Sequence, residues 1–430
     1  MSAPVMIKFD SIVEDALNQG AMPGCQVVVA KNGRVVWNRA YGWIDSERSR
    51  PTNTDDVYDL ASLTKALVCT PAIMSLYEQG KIKLDEPLSN HLPVLRDTDK
   101  EHLTYRNVLY HQARLSPFVP FYQYLLDTTS YPGPFLSTKP DSLHPMRFDE
   151  FCWIPLNFSF KPELVSEEYK GPYLLQAAEN FYVNASFRDS VCKIITETSL
   201  LNNTRYTYSD LGFILMGFSA ETLLGKTLDE WVENELFAPL GAETTMYQPL
   251  KKIAPGRIAP TTLDTCLRKQ LLRGYVHDEA AAFLGGVAGN AGLFSSASDL
   301  VKVLQLFLDE GTYGSVRFFE PSTLRYFTSK RSSLSRRLLG FDGAETNKNK
   351  IQQVAPSASR KTYGHIGFTG TCFWVDPVHE LIYIFLSNRV HPDRNNNLLS
   401  KLDVRPKIQE VLYESMEAYN KKQTSLQNGL

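Results

Sequence analysis

The chain has 430 residues, of which 43% are hydrophobic and 21% charged, as in a globular protein with one large or two ordinary domains. Its 45 Lys and Arg against 47 Asp and Glu leave a net charge of -2, which argues against nucleic acid or an anionic membrane as a partner. It has no run near the roughly 20 apolar residues of a membrane span, and residues 1–10 do not read as a signal peptide.

These features predict a cytoplasmic protein as the chain is written, or a protein of the cell envelope if a leader or a preceding domain is missing. The eight histidines show no metal-ligand spacing, so neither a metal nor another cofactor is expected. The six cysteines are scattered without a Cys-x-x-Cys pair, and we expect them to be buried free thiols.

The first and last parts of the chain are predicted to share a β-sheet. Apolar residues at helical spacing over residues 7–19 precede two β-rich runs, 25–30 and 34–37, which flank the turn Asn32-Gly33. Asn-Gly between such runs is a strong hairpin signal. The chain closes with two strand patterns and a helix, at residues 372–375, 381–386 and about 407–420.

The middle of the chain is helical by the same criterion. Helical periods occur at residues 63–79, 186–199, 211–224 and 297–309. This order predicts an α/β fold of the α+β type, with an antiparallel sheet built from both chain ends, flanked by helices, and an all-α lobe inserted between. We expect residues 1–58 and 270–430 to form the sheet domain and residues 59–269 the helical lobe.

Residues 117–182 are dense in aromatic residues and prolines and show no clean period. Because this stretch is too apolar for a disordered linker, we expect a structured insertion draped over the body. The insertion would form one wall of a binding cleft or, alternatively, a packing or dimerisation surface.

Ser62-Leu63-Thr64-Lys65 is the first candidate for chemistry. A serine hydroxyl is a weak nucleophile unless a base lies within reach, and residues three apart on a helix share a face. If Ser62 opens the helix, free amides and the helix dipole would stabilise negative charge beside it. Burial by the apolar turn that follows is expected to lower the pKa of Lys65 enough for it to accept the serine proton.

A second Ser-x-x-Lys, from Ser190 to Lys193, has the same spacing, and roughly one such match is expected by chance in a chain of this length. It lies inside a continuous helical period, where a serine bonds the preceding turn instead of opening the helix. Ser62 leads directly into a long apolar helix, so the context favours Ser62.

Tyr208-Ser209-Asp210 is the second candidate motif. A tyrosine beside the nucleophile can shuttle the proton to the leaving group, and a short polar side chain two residues on can hold the lysine. Tyr105-x-Asn107 and Tyr182-x-Asn184 fit the same loose template, but Tyr208 lies in a polar loop that leads into an apolar helix.

The third candidate is the glycine-rich stretch from Tyr363 to Thr371, immediately before a predicted strand. Gly367 would let a substrate lie along the strand edge, and the amide of Phe368 could donate to an oxyanion. By itself, a glycine-rich strand entrance is more often a bulge or a turn.

In this order, the three motifs resemble those of the β-lactamase-fold serine hydrolases, which include class C β-lactamases, low-molecular-weight penicillin-binding proteins, D-amino-acid peptidases and esterases. The family signature is Ser-x-x-Lys, then Tyr-x-Asn or a relative, then Lys-Thr-Gly or His-Thr-Gly. Residues 23–27, 285–295 and 386–389 are similar to the family as well. The resemblance covers nearly the whole chain and implies a β-lactamase/transpeptidase-like fold, with residues 117–182 the least familiar part.

The resemblance implies a serine hydrolase that acts through an acyl-enzyme. Ser62 would be acylated, while Lys65 and Tyr208 share general acid and base duty as a coupled pair. Asp210 would orient Lys65, and His365 takes the position of the third-motif lysine.

The resemblance also implies an oxyanion hole. The backbone amides of Ser62 and Phe368 would donate to the oxyanion, and Gly367 and Thr369 would belong to the same substrate-binding edge.

The third motif departs from the family pattern, because His365-Ile366-Gly367 stands for Lys-Thr-Gly. Histidine weakens the fixed positive charge that would meet a carboxylate, and isoleucine removes a hydroxyl donor. Both changes count against efficient binding of penicillins or of a C-terminal carboxylate, and are more compatible with an ester or a neutral amide.

Three further positions depart from the pattern. Asp210 stands where many relatives have asparagine, and its charge would tend to keep Lys65 protonated, leaving more of the proton transfer to Tyr208. Arg114 stands where glycine is expected and Asn290 where histidine is common, and the sequence gives no reason for either.

Two functions follow. The first is a hydrolase of an ester or of an amide or peptide, including envelope peptides, with a small molecule or a peptide as substrate. The alternative is a non-catalytic or acylation-only module for penicillin binding or sensing, or an accessory domain of a larger protein. Steady turnover of small acyl esters would exclude the alternative, and the sequence does not indicate an oligomeric state.

Overall fold

The computed structural model describes residues 3–203, 205–345, 347 and 350–428. The α-helices in this part of the chain are α1 (Ala3–Asn18), α2 (Thr70–Glu78), α3 (Tyr105–Leu109), α4 (Tyr122–Leu125), α5 (Phe187–Glu197), α6 (Leu211–Leu224), α7 (Leu228–Val232), α8 (Glu279–Phe283), α9 (Ala297–Leu308), α10 (Pro321–Ser329), α11 (Leu398–Lys401) and α12 (Val404–Asn428).

The strands are β1 (Gly24–Lys31), β2 (Arg34–Gly42), β3 (Tyr58–Asp59), β4 (Met146–Arg147), β5 (Trp153–Ile154), β6 (Val165–Ser166), β7 (Tyr173–Ala178), β8 (Phe181–Asn184), β9 (Met246–Tyr247), β10 (Thr262–Asp264), β11 (Gln270–Leu272), β12 (Leu293–Ser295), β13 (Thr312–Tyr313), β14 (Val316–Arg317), β15 (Asp342–Gly343), β16 (Tyr363–Ile366), β17 (Cys372–Asp376) and β18 (Leu381–Ser387).

The main sheet has six antiparallel strands in the order β15-β16-β17-β18-β1-β2. Both ends of the chain therefore build it, as the sequence predicts, and the fold class is confirmed. The N-terminal hairpin joins the C-terminal strands through β1 and β18, where Val28 lies opposite Ile384. On the other side of β17, His365 lies opposite Phe373.

Both faces of the central strands are covered, which is why β1 and β18 are nearly continuous apolar runs, whereas the edge strand β2 is largely exposed. Because successive side chains point to opposite faces, Val27 and Val29 pack in a cluster with residues of α1 and α12. Val28, between them, belongs to the larger core that includes α9 and the helical lobe. The central strands are thus fixed between two hydrophobic layers.

The helical lobe packs around α6, a helix buried over most of its length. Gly217 of α6 lies against Gly289, where an added Cβ would come within 3.1 Å of the Gly289 backbone nitrogen. The division at residues 58/59 and 269/270 stays a prediction. The hairpin of β10 and β11 spans the second boundary, because Asp264 pairs with Gln270.

The insertion at residues 117–182 contains α4, the hairpin of β4 and β5, and most of a small sheet in the order β6-β8-β7. A chain of edge-to-face aromatic contacts runs through it, with Phe160 and Phe181 at a centroid distance of 5.0 Å. Phe181 in turn stacks on Phe283 of α8 at 6.1 Å. These aromatic residues anchor the insertion to the helix that follows His277.

Within the described residues, no single helix is long and apolar enough to cross a membrane. Only α6 taken together with residues 228–237 meets those length and composition limits, and that pair is bent by 68°. All six cysteines are free; Cys152 and Cys192 are partly exposed and the other four are buried.

Candidate active site

Ser62 lies just after β3, at the start of the helical segment that continues as a π-helical turn, Lys65–Cys69, and then as α2. Ala61, the residue before it, has a φ of 49°, which is unusual for a side chain other than glycine. The Ala61 amide donates to Asp59 Oδ1 at 2.8 Å, and the His277 amide donates to Asp59 Oδ2 at 2.7 Å. One buried carboxylate therefore holds the turn in its strained conformation.

The loop after β16 is bonded to the same turn. The Thr369 hydroxyl donates to the Asp59 carbonyl at 2.7 Å, and the Thr371 hydroxyl donates to the Leu60 carbonyl at 3.1 Å. A Cβ on Gly367 would come within 2.6 Å of the Leu60 carbonyl oxygen, so this close approach requires glycine. Thr369 is buried and its hydroxyl is engaged by the Asp59 carbonyl, so the predicted contact of Thr369 with a substrate stays a prediction.

Lys65 is fully buried and points its ammonium group at three acceptors. Its Nζ lies 2.9 Å from Ser62 Oγ, 2.8 Å from the Asn290 carbonyl oxygen and 2.6 Å from Asp210 Oδ1. An ammonium group has three protons, so each acceptor is matched by one donor. The structure thus brings together Ser62, Lys65 and Asp210 as the sequence predicts, and it gives Asn290 a defined contact.

Two expectations for Lys65 were opposed, a pKa lowered by burial and a proton retained because of Asp210, and the structure favours the second. Burial lowers the pKa of Lys65, but Asp210 and then Tyr208 raise it, and the net effect is a pKa above the ordinary value. The expected lowering of the pKa of Lys65 by burial is therefore wrong. The sequence contained the reason, because Asp210 adds a charge where many relatives carry a neutral amide.

Tyr208 lies beside both groups. Burial raises the pKa of Tyr208, while Lys65 and Arg337 oppose that rise and a hydrogen bond with Ser62 does so as well. The Lys65 ammonium lies 5.2 Å from the ring centroid of Tyr208. On its other side the ring stacks on His111 at 4.3 Å.

His365 is buried and neutral. Burial and the cations Arg337 and Lys65 lower the pKa of His365 to about 3. Its Nδ1 lies 2.8 Å from the Ile366 carbonyl, which can only accept, so the single ring proton is on Nδ1. Nε2 is then an acceptor and receives a hydrogen bond from Arg337 Nη1 at 3.2 Å.

Sequence reasoning missed Arg337 and His111. Arg337 lies in the Ser-Arg-Arg segment before β15, which has the composition of an exposed loop. His111 belongs to the segment noted only for Arg114; its Nδ1 accepts from the Ser209 amide at 3.1 Å, and burial lowers the pKa of the ring well below its ordinary value. Arg114 has a φ of 59° and donates to the Leu201 carbonyl at 2.7 Å, which explains its presence in a turn typical of glycine.

The backbone amides of Ser62 and Phe368 are candidate donors to a ligand. Among the described residues, neither the Ser62 nor the Phe368 N–H donates to a protein acceptor. The Phe368 side chain is 49% exposed, and its ring lies 5.2 Å from His277 and 4.8 Å from the Arg389 guanidinium. Two backbone N–H donors, such as those of Ser62 and Phe368, are the groups that an oxyanion hole requires.

The other serine and tyrosines that fit the motifs by sequence make ordinary structural contacts. Ser190 is exposed on α5, and its hydroxyl donates to the Ser186 carbonyl of the preceding turn at 3.3 Å, as predicted. Tyr105 is buried on α3 and hydrogen-bonds to Ser219. Tyr182 lies on β8, where its hydroxyl accepts from Gln176.

Two cavities lie where the insertion meets the body. The larger, about 310 Å³, is lined by insertion residues such as Tyr169 and Gln176 and by body residues such as Tyr275. The other, about 270 Å³, is lined by Arg147 of the insertion and by His277. Since His277 also contacts Phe368, the insertion forms a wall of a cavity beside the free amide.

Comparisons with known proteins agree with this geometry. A family model described as Beta-lactamase matches residues 9–404. A curated relative, the N-acetylmuramyl-L-alanine amidase of Bacillus subtilis, is 29% identical over 445 aligned positions that cover 95% of this chain and 89% of the relative.

Two solved structures share the fold. A penicillin-binding protein homologue from Caulobacter crescentus aligns with a TM-score of 0.64 at 17% identity, covering 96% of this chain and 97% of the other. EstCE1, described as a hydrolase with promiscuous acyltransferase activity, aligns with a TM-score of 0.62 at 18% identity, covering 94% and 98%.

Proposed function

The chain belongs to the β-lactamase family of hydrolases, and we propose that it cleaves an amide or ester bond through an acyl-enzyme formed on Ser62. The observation that carries the proposal is the contact of a buried, fully bonded Lys65 ammonium with Ser62 Oγ at 2.9 Å. The proposal is also supported by the Ser62 and Phe368 amides, which have no acceptor among the described residues and could serve as oxyanion donors.

Tyr208 is the base in this proposal, because Lys65 holds its proton. The Tyr208 phenolate removes the proton from Ser62 as Oγ attacks the carbonyl carbon, and the two amides receive the oxyanion. Lys65 orients Ser62 and stabilises the negative charge on Tyr208, and Asp210 keeps Lys65 charged and in place. When the tetrahedral intermediate collapses, Tyr208 gives its proton to the departing amine or alcohol.

Deacylation repeats these steps with water. Tyr208 takes a proton from the water that attacks the acyl carbonyl, and then returns it to Ser62 as the acyl product leaves. The cycle begins and ends with the same protonation states of Tyr208, Lys65 and Ser62. No metal or cofactor takes part in any step.

We propose an amide of the envelope-peptide class as the substrate. The His365 imidazole is neutral and the Arg337 guanidinium behind it is bonded to His365, Tyr206 and Asp342. The absence of a free cation at these two residues suits an uncharged amide better than a β-lactam carboxylate. The Bacillus subtilis relative is named for hydrolysis of an amide between a muramyl acid and L-alanine. The cavity of about 270 Å³ that His277 helps to line offers room for a substituent of such a substrate.

The test is turnover of N-acetylmuramyl-L-alaninamide, p-nitrophenyl butyrate and nitrocefin by the wild type and by Ser62→Ala. We expect steady release of alaninamide and p-nitrophenol by the wild type, slow or no nitrocefin turnover, and loss of all activity in Ser62→Ala. Retained activity in Ser62→Ala would reject the nucleophile. A burst followed by a stalled acyl-enzyme on every substrate would favour the acylation-only module instead.

A further inference from the structure

We infer that Arg337 is a positioning residue that takes over the role of the third-motif lysine, holding a fixed positive charge behind His365 and beside Tyr208. The inference rests on the proposed function, since it concerns the environment of the proposed base. It starts from the burial of Arg337, whose side chain is only 4% exposed.

The contacts of Arg337 point to the site on one side. Nη1 donates to His365 Nε2 at 3.2 Å, and Nη2 donates to the Tyr206 hydroxyl at 3.0 Å. The guanidinium carbon lies 5.1 Å from the Tyr208 ring centroid and 5.5 Å from that of Tyr206. Arg337 therefore touches both the residue in the lysine position and the tyrosine that acts as base.

The other side of Arg337 is anchored by Asp342 of β15, which lies 3.6 Å from Nη2. Asp342 is fully buried and is also bound by Arg336, through Nε at 2.6 Å and Nη2 at 2.9 Å. Arg336 and Arg337 thus share Asp342, and Arg336 also lies 3.9 Å from Glu345, so Arg337 is the charge of this cluster that faces Tyr208. Because Arg337 is buried, its field on Tyr208 is weakly screened.

A lysine at position 365 would be incompatible with this arrangement. Its ammonium group would have no lone pair for the Arg337 donor, and two buried cations would be in contact. A neutral imidazole with its proton on Nδ1 accepts the hydrogen bond and lets Arg337 supply the charge. We therefore treat His365 and Arg337 together as the replacement for the lysine of the third motif.

The charged and titratable groups around Tyr208 are Lys65, Asp210, Arg337, His111 and His365. Removing Arg337 leaves the other four in place. Its loss should therefore make the phenolate of Tyr208 harder to form, with little change in substrate binding. The expected signature is a fall in kcat, with KM nearly unchanged, and a pH–rate profile moved to higher pH.

The experiment compares Arg337→Met with Arg336→Met, whose guanidinium binds the carboxylates of Asp342 and Glu345 instead of His365. We expect Arg337→Met to lower kcat about 10- to 100-fold and to shift the rise of kcat with pH to higher pH. Arg336→Met is expected to change kcat less than about 3-fold. Equal effects of the two variants, with the profile unmoved, would overturn the inference.

A charge-exchange pair keeps the test decisive if Arg337→Met is unstable. His365→Lys alone is expected to lose activity because it places two cations in contact, and His365→Lys combined with Arg337→Met is expected to regain at least 10-fold over it. Additive losses would contradict the exchange of roles. Ser62→Ala separates the proposals: an active Ser62→Ala rejects the proposed function, while an inactive one with no difference between the arginine variants rejects only the role of Arg337.

Discussion

The segment from Ser62 to Lys65 and the segment from His365 to Thr369 both lie at the turn formed by Asp59 and Leu60, but they are built in different ways. The first is made largely by local geometry, since a serine and a lysine three residues apart at a helix start lie within a hydrogen bond of each other. The second depends on distant residues, because Arg337 donates to its histidine and the Asp59 carbonyl accepts from its threonine. Contacts of this kind are not visible in the sequence of the motif.

The largest effect is expected from a substitution in the first segment. Lys65→Met should lower kcat/KM by roughly 10³-fold or more, because Ser62, Asp210 and the Asn290 carbonyl all lose their donor. The matched control is Lys193→Met in the second Ser-x-x-Lys, which should retain activity within about 2-fold. Steady-state kinetics with p-nitrophenyl butyrate measures both, and comparable activity in the two variants would contradict the assignment of Lys65.

The next effect tests the proposed base, which lies between the two segments. Tyr208→Phe should lower kcat by about 10²- to 10³-fold. A base acts when deprotonated, and the pKa of Tyr208 is raised, so wild-type kcat should rise with pH through the alkaline range. The variant should lose that rise, while Tyr182→Phe should keep it. A wild-type rate that is flat above pH 8 would argue against a phenolate base.

The smallest effect concerns the connection between the segments. Thr369→Val removes the donor to the buried Asp59 carbonyl and should lower the free energy of unfolding by about 1–2 kcal/mol. Kcat should fall by no more than about 10-fold, because the oxyanion amides remain. Urea denaturation measures the change, with Thr222→Val on the exposed face of α6 as a control expected to lie within about 0.5 kcal/mol of wild type. A Thr369→Val protein as stable as the control would show that the hydrogen bond from the Thr369 hydroxyl to the Asp59 carbonyl does not stabilise the fold.

The same contrast explains what the sequence could predict. The sheet built from both chain ends followed from two apolar runs and an Asn-Gly turn, and the observed bounds of β1, β18 and α6 lie within two residues of those expected. Ser190 could be set aside because a serine within a helix bonds its own turn, which it does.

What the sequence did not reveal depends on contacts between distant segments. Nothing in a Ser-Arg-Arg segment indicates that one arginine is buried against His365 while its neighbour binds only carboxylates. The pKa of Lys65 was expected to fall because burial was considered without the full effect of Asp210, which lies 2.6 Å away. The five short strands of the insertion have too few residues each for a period to be seen.

The most direct test of the account is the site of covalent acylation. Intact-protein mass measurement after treatment with a fluorophosphonate should show one added group on the wild type and on Ser190→Ala, and none on Ser62→Ala, with peptide mapping placing the group on Ser62. Modification of Ser62→Ala to the same extent as the wild type would contradict the assignment of Ser62 as the nucleophile.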